Sequence, residues 1–285
     1  MGQDGGQLSF LHIPVLGSHA EPARKVCLSA NGPAASAGLR IAFLTDFHLS
    51  RHNSAERLRA LFAEVTASTP DLILLGGDAS ETFDGVKEFF SCCRALHAPL
   101  GVFAVPGNND KDRYGSNFPL MRDLAARNGV HLLVDEQAVV RTPRGRVLLA
   151  GLDERYYGNA RIRHMFRGTR EGDLRILLSH YPDCIAKALR EASAMPHLVL
   201  CGHTHGGQWE LFGKTVYDLG YSAGHTRKDP YFFTWGEKRF DAGFTMVVSA
   251  GLGESKLPLR INVPREYHII DIVSEEVPSS LSGRG

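Results

Sequence analysis

The chain has 285 residues, long enough to bury one large α/β core without division into smaller units. Its 43% hydrophobic and 22% charged residues are the mixture of a globular domain, and a formal net charge of +1 excludes general attraction to nucleic acid or to an anionic surface, so any such contact must be local. The five cysteines (Cys27, Cys92, Cys93, Cys184 and Cys201) are odd in number and lack C-x-x-C spacing, which reads as reduced thiols in a reducing compartment.

Residues 1–23 show little periodicity and are expected to form a flexible leader, followed by one domain over 24–273 and a disordered Ser/Gly-rich tail over 274–285. No apolar run approaches the ~20 residues of a membrane span. The apolar stretch 10–16 is broken by His12 and Pro14 and no basic segment precedes it, so it does not read as a signal peptide. Met1-Gly2 resembles a myristoylation start, but Gly6 stands where Ser or Thr is required. The expected location is cytoplasmic, with peripheral contact at the inner face of the membrane as an open option.

Within the domain, a short strand at 25–28 precedes a Gly/Pro/Ala/Ser-rich loop at 30–38. Ile41-Ala42-Phe43-Leu44 is an apolar strand, and Leu58, Leu61, Phe62 and Val65 then mark a helix over 54–67. Leu72-Ile73-Leu74-Leu75 is the next strand, with a helix near 84–96. Val102-Phe103-Ala104-Val105 is the third, with a helix over 119–128 stopped by Gly129. Further strands are expected at 139–140, 147–150, 176–178, 198–200, 246–248 and 267–270, with one helix over 184–192. Strands that are apolar throughout belong to sheets covered on both faces. The pattern predicts an α/β sandwich with two sheets between helices.

Five of these strands are followed at once by residues able to bind metal: Asp46-Phe47-His48, Gly77-Asp78, Gly107-Asn108-Asn109-Asp110, Ser179-His180 and Gly202-His203-Thr204-His205. Each has a plain alternative as a turn, a helix cap or a surface residue. Ligands of α/β sheets gather outside the carboxyl ends of the strands, so the five are expected to meet. Imidazole is the commonest protein ligand of transition metals, and glycine lets backbone approach a crowded site.

The order D-x-H, G-D, G-N-x-[D/E], H, G-H-x-H resembles the signature of the calcineurin-like binuclear metallophosphoesterases, over about residues 25–272. The ending Gly202-His203-Thr204-His205-Gly206-Gly207-Gln208, with Gly251 to Ser255 and Pro258-Leu259-Arg260 downstream, resembles the bacterial branch that includes membrane-associated phosphoesterases and one type of UDP-2,3-diacylglucosamine pyrophosphatase. The resemblance implies a four-layer α-β-β-α sandwich with two mixed sheets. It implies that Asp46, His48 and His205 bind one divalent cation, that Asn108, His180 and His203 bind the other, and that Asp78 bridges them. Carboxylate, imidazole and amide donors together suit Mn²⁺, the first expectation, or Fe²⁺ or Zn²⁺. Ions about 3.5–4 Å apart would clamp the attacking and leaving oxygens, with a metal-bound hydroxide as nucleophile.

One position departs from the usual motif. Asn109 stands where most relatives carry a histidine thought to protonate the leaving oxygen or stabilise the transition state, and an amide donates a hydrogen bond without transferring a proton. General acid catalysis is worth about 10²–10⁴-fold. A phosphoanhydride, whose leaving phosphate is already a stable anion, suffers less from its loss. Asn109 is therefore expected to favour pyrophosphate-linked or activated diester substrates. His52 is an alternative acid or a solvated loop residue. Asp110 is expected to orient the site, Gln208 could do likewise, and Asp153 either faces the crevice or the solvent.

Residues 209–243 contain both tryptophans, many further aromatics and several cations, among them Arg227 and Lys228. Either the aromatics plug the end of the sandwich, or the stretch is a lid-like insertion whose Trp209 meets a nucleobase or acyl chain. Arg260 is a candidate clamp for substrate phosphate. The favoured reaction is hydrolysis of a pyrophosphate or phosphodiester bond in a small-molecule or lipid-linked substrate such as UDP-2,3-diacylglucosamine. The alternatives are a broad phosphomonoesterase or cyclic-nucleotide phosphodiesterase, and a non-catalytic metal-binding scaffold.

Overall fold

In the computed structural model, residues 22–50, 53–114, 117–143, 145–153, 162–218 and 229–274 are described; the leader up to residue 21, the tail from residue 275, His52, Arg227 and Lys228 lie outside them. Strands and helices are numbered in chain order. The first sheet runs β1 (Arg24–Gly32), β14 (Glu266–Ser274), β2 (Arg40–Leu44), β3 (Leu72–Leu75), β4 (Val102–Ala104), β5 (Val130–Leu132). The second runs β12 (Gly236–Phe240), β13 (Phe244–Val248), β9 (Leu198–Cys201), β8 (Leu174–Leu178), β7 (Gly145–Gly151), β6 (Glu136–Thr142). Both sheets are mixed. In the first, β14 is antiparallel to β2; in the second, β12 and β6 are antiparallel to their neighbours; the other pairs are parallel.

The twofold alternation of side chains along a strand explains the layers. In β2 and β3, Ala42, Leu44, Ile73 and Leu75 face the outer helices, while Ile41, Phe43, Leu72 and Leu74 face the other sheet. In β9, Leu198 and Leu200 meet them across the middle, and Val199 and Cys201 face outward. The outer face of the first sheet is covered by α1 (Ala55–Ala67), α2 (Phe83–Cys93) and α4 (Phe118–Arg127), and that of the second by α5 (Ile185–Glu191). This is the expected α-β-β-α sandwich. Ser54 and Thr82 cap α1 and α2 by accepting from the main-chain N–H of Arg57 and Gly85.

One expectation needs correction: β1 continues to Gly32, into the stretch read as a loop, because it lies along β14 in parallel register. Asn108 opens a short helix, α3 (Asn108–Tyr114). The segment after Trp209 has regular structure: a small hairpin, β10 (Glu210–Leu211) and β11 (Lys214–Thr215), and the edge strand β12. Among the described residues no helix is long and apolar enough to cross a membrane.

Candidate metal centre

The motif residues leave their sheets at the carboxyl ends of β2, β3, β4, β8 and β9 and meet there. Packing aims them. Phe47, 1% exposed, is held by Phe62 and Phe89 at ring-centroid distances of 6.1 and 4.6 Å, which leaves its neighbours Asp46 and His48 to turn the other way. Asp46, His48 and Asp78 have φ of +54°, +43° and +55°, and His203 and His205 have +71° and +52°. Such values are uncommon for side-chain-bearing residues, cost about 1–3 kcal/mol each, and persist only where the surroundings enforce them. A Cβ at Gly107 would collide with the Asp78 carboxylate, and one at Gly202 with that of Asp46, so both glycines are required by close approach.

Two groups of donors result, Asp46–His48–His205 and Asp78–His180–His203. His48 Nε2 and His205 Nε2 are 3.1 Å apart, as are His180 Nε2 and His203 Nδ1. His48 Nε2 and His180 Nε2 stand 3.4 and 3.5 Å from the same Asp78 oxygen, and His205 Nε2 is 3.5 Å from Asp46. Asn108 Oδ1 lies 3.3 Å from His180 Nε2 and joins the second group. The His180 ring is fixed by its Nδ1, 2.8 Å from the carbonyl of Gly76, which directs Nε2 into the site. Imidazole nitrogens facing one another between carboxylates and an amide oxygen are the donor set of divalent cations, one at each group, with Asp78 reaching both.

The ionisable groups are strongly coupled by burial. Desolvation alone would lower His48, but hydrogen bonds to Asp78 and Glu81 and attraction to Asp78 and Asp46 hold it at about 10. Burial likewise opposes protonation of His180, yet Asp78 and Asp46 carry it to about 9. Burial raises Asp46, His180 counters that rise and Asp78 adds to it; burial would also raise Asp78, but His180 and His48 hold it well below the usual carboxylate range. His205 is kept neutral by burial, then by repulsion from His48 and Arg260.

Asp110 is 1% exposed and accepts from the N–H groups of Asp78 and Gly107 through Oδ2 (2.8 and 2.9 Å) and of Ala79 through Oδ1 (2.9 Å). It fastens the Asp78 turn to α3. Burial and the Asp78 charge push its carboxyl up to about 7 against the hydrogen bonds from Gly107 and Ala79. Asn109 donates its main-chain N–H and its Nδ2 to the two oxygens of Asp78, at 2.9 and 2.7 Å. Arg260 has a 7% exposed side chain whose guanidinium faces the carbonyls of Ala250 (2.7 Å), Gly251 (3.3 Å), His205 and Pro264 (both 3.4 Å) and Gly253, with Nη2 3.4 Å from His205 Nδ1; it does not line the cavity. Asp153 pairs with Lys111.

Beside the two groups opens a cavity of about 760 Å³, lined by Asn108, His203, His205 and an aromatic wall of Tyr181, Trp209 and Tyr217. Gln208 also lines it and braces the opposite loop, donating to Leu257 O (2.9 Å) and accepting from Ser255 N (2.8 Å). The aromatic segment is thus divided: Tyr231, Phe233 and Phe240 pack on the outer face of the second sheet, while Trp209 and Tyr217 face the cavity. Tyr181, whose ring lies 3.8 Å from that of His203, was not singled out from sequence, although its place directly after His180 is the signal that would have found it.

A fold of this kind with such a centre defines a metal-dependent phosphoesterase. Residues 39–207 match the family model of the calcineurin-like phosphoesterases, and the chain belongs to that family, with its catalytic metallophosphoesterase domain. It is 28% identical over 244 residues to the uncharacterized metallophosphoesterase YkuE of Bacillus subtilis, covering 83% of this chain and 80% of that one. It is 32% identical over 178 residues to the phosphodiesterase YaeI of Escherichia coli, covering 61% of this chain and 63% of that protein. Among solved structures, the NAD nucleotidase of Haemophilus influenzae aligns with a TM-score of 0.47 and 17% identity, over 74% of this chain and 44% of the other.

Proposed function

We propose that the chain hydrolyses a pyrophosphate or phosphodiester bond with two divalent cations, Mn²⁺ by preference, held by Asp46, His48 and His205 on one side and Asn108, His180 and His203 on the other, with Asp78 between. When bound, such a pair neutralises charge on the phosphoryl group and lowers the pKa of a coordinated water toward neutrality. The chain's own residues hold that arrangement. Asp110 fixes the backbone of the Asp78 turn, Gly76 O orients His180, and the Arg260 guanidinium ties the His205 loop to the 250–253 turn. Asn109 is held on Asp78 by its main-chain N–H and one N–H of its Nδ2, and an amide does not transfer a proton to a leaving group. The favoured substrate is one whose leaving group departs unprotonated, a phosphoanhydride or an activated diester. Within that class we favour a lipid-linked nucleotide sugar such as UDP-2,3-diacylglucosamine, as in the bacterial branch ending in Gly-His-Thr-His-Gly-Gly-Gln, acted on at the cytoplasmic face of the membrane.

The observation that carries this reading is the pair of donor groups, facing nitrogens 3.1 Å apart in each, at the edge of a cavity with an aromatic wall. A panel of UDP-diacylglucosamine, cyclic nucleotides, an alkyl phosphomonoester and an aryl phosphodiester, assayed with Mn²⁺, tests it. Turnover of anhydride and activated diester well above the alkyl monoester supports the reading, and Asn109→His should narrow that gap by about 10²-fold. An unchanged ratio removes the assigned role of Asn109. No hydrolysis of any substrate by protein with bound metal returns the chain to a binding scaffold.

A further inference from the structure

The hairpin of β10 and β11 pairs Leu211 with Lys214, so its turn is Phe212-Gly213. Both turn residues have positive φ, +55° and +73°. That is the two-residue turn for which Asn-Gly is the favoured sequence, and a bulky side chain in the first position is strained. The phenylalanine is also 85% exposed, so it bears a conformational cost and a solvation cost together. Leu211 next to it is 52% exposed, as is Leu257 on the facing loop. Among the described residues, the other large apolar side chains so exposed are Leu120, Val139 and Val273, on separate elements.

The rim is firmly placed. Glu210 N donates to Ile261 O (2.8 Å), Trp209 Nε1 to Leu259 O (2.8 Å) and Gln208 Nε2 to Leu257 O (2.9 Å), so hairpin and facing loop move together. Trp209 and Val216, immediately before and after the hairpin strands, line the cavity, which puts the hairpin at its rim. Two exposed cations stand at this rim, Lys214 on the hairpin and Lys256 among the residues lining the cavity, while the carboxylate of Asp218 is turned back on Thr215 at 2.8 and 2.9 Å.

We propose that the Phe212 turn is an interfacial wedge: it enters the headgroup region of an anionic phospholipid bilayer and sets the cavity mouth against it. An aromatic projecting from a tight turn next to Lys214 fits the boundary between headgroups and acyl chains. A protein partner would call for a broad complementary face, on the order of 800 Å² per side. Taken with the hydrolytic reading above, on which this part rests, the substrate is a lipid whose phosphate reaches the metal centre while its acyl chains stay in the membrane.

Flotation of the full chain, loaded with Mn²⁺, tests this with vesicles of phosphatidylcholine alone and with a minority of phosphatidylglycerol. Wild type should float with the anionic vesicles and less with the neutral ones. Phe212→Asn, which suits the turn and so should not lower the thermal midpoint, should reduce partitioning by about tenfold or more. It should still hydrolyse soluble bis(para-nitrophenyl) phosphate at the wild-type rate. Wild type that stays out of the vesicle fraction, or a variant that floats as well as wild type, overturns the wedge. So does a wild-type dimer that Phe212→Asn converts to monomer, which would make the turn a contact between copies. If neither protein cleaves the soluble diester, the hydrolytic reading fails while flotation still decides the wedge.

Discussion

On one wall of the cavity the side chains are buried and the backbone beneath them is strained; on the other, the strain lies under side chains that face water. Asp46, His48, Asp78 and His205 are 5% exposed or less, and their turns are fixed where Asp46 N donates to Gly77 O, His48 N to Asp78 O, Asp78 N to Asp110 and Arg260 to His205 O. Phe212 and Lys256 share the positive φ of that wall but not its burial. Where strain is enforced by dense packing, it aims donors at a common point. At the exposed rim the strained turn instead carries Phe212 into solvent, the feature on which the proposed wedge rests.

The contrast is broken most severely at Asp78, the carboxylate between the two donor groups. Asp78→Asn removes the charge that would draw both cations, and turnover of an aryl phosphodiester should fall by on the order of 10³-fold or more, with loss of bound metal seen by elemental analysis. Phe47→Ala attacks the same wall through its packing. Emptying the space against Phe62 and Phe89 should cost about 3–5 kcal/mol in denaturant unfolding and loosen metal affinity together with stability. The aromatic wall should answer differently. Trp209→Ala should raise KM for a nucleotide-bearing substrate by about tenfold, the loss of one stacking surface, and leave turnover of a small aryl diester almost unchanged.

How much of this was legible in the sequence follows the same division. The strands Ile41–Leu44 and Leu72–Leu75 announce themselves because they are covered on both faces, and the ligands follow them directly. Gly107-Asn108-Asn109-Asp110 did not read as the start of a helix, since these residues disfavour helix interiors and fit only its first turn. The hairpin strands, two residues each, are too short to carry a period. Arg260 looked like a phosphate clamp because its carbonyl partners come from turns that meet only in three dimensions. Tyr181 carries one signal, its place directly after the ligand His180, but its stacking on His203 arises only where β8 and β9 end side by side.

The smallest expected effect lies at the far end of β9, away from either wall. His197 accepts from the main-chain N–H of Arg175 at Nδ1 (3.0 Å) and has the Arg175 guanidinium 2.9 Å from Nε2. Burial, then the Arg175 charge, lower its pKa to about 4. Between an unfolded value of about 6.5 and that folded value, the unfolded chain binds the proton more readily. Stability should therefore decline as pH falls through this window and level off below it. His197→Gln should flatten that part of the stability profile in chemical denaturation.

The central claim, two cations held together by one bridging carboxylate, is tested most directly by loading metal-free protein with Mn²⁺ and recording ion content and electron paramagnetic resonance together. The account predicts two ions per chain with the signal of a spin-coupled pair, about 3.5–4 Å apart. Saturation at one ion, or two ions with independent signals, would contradict it.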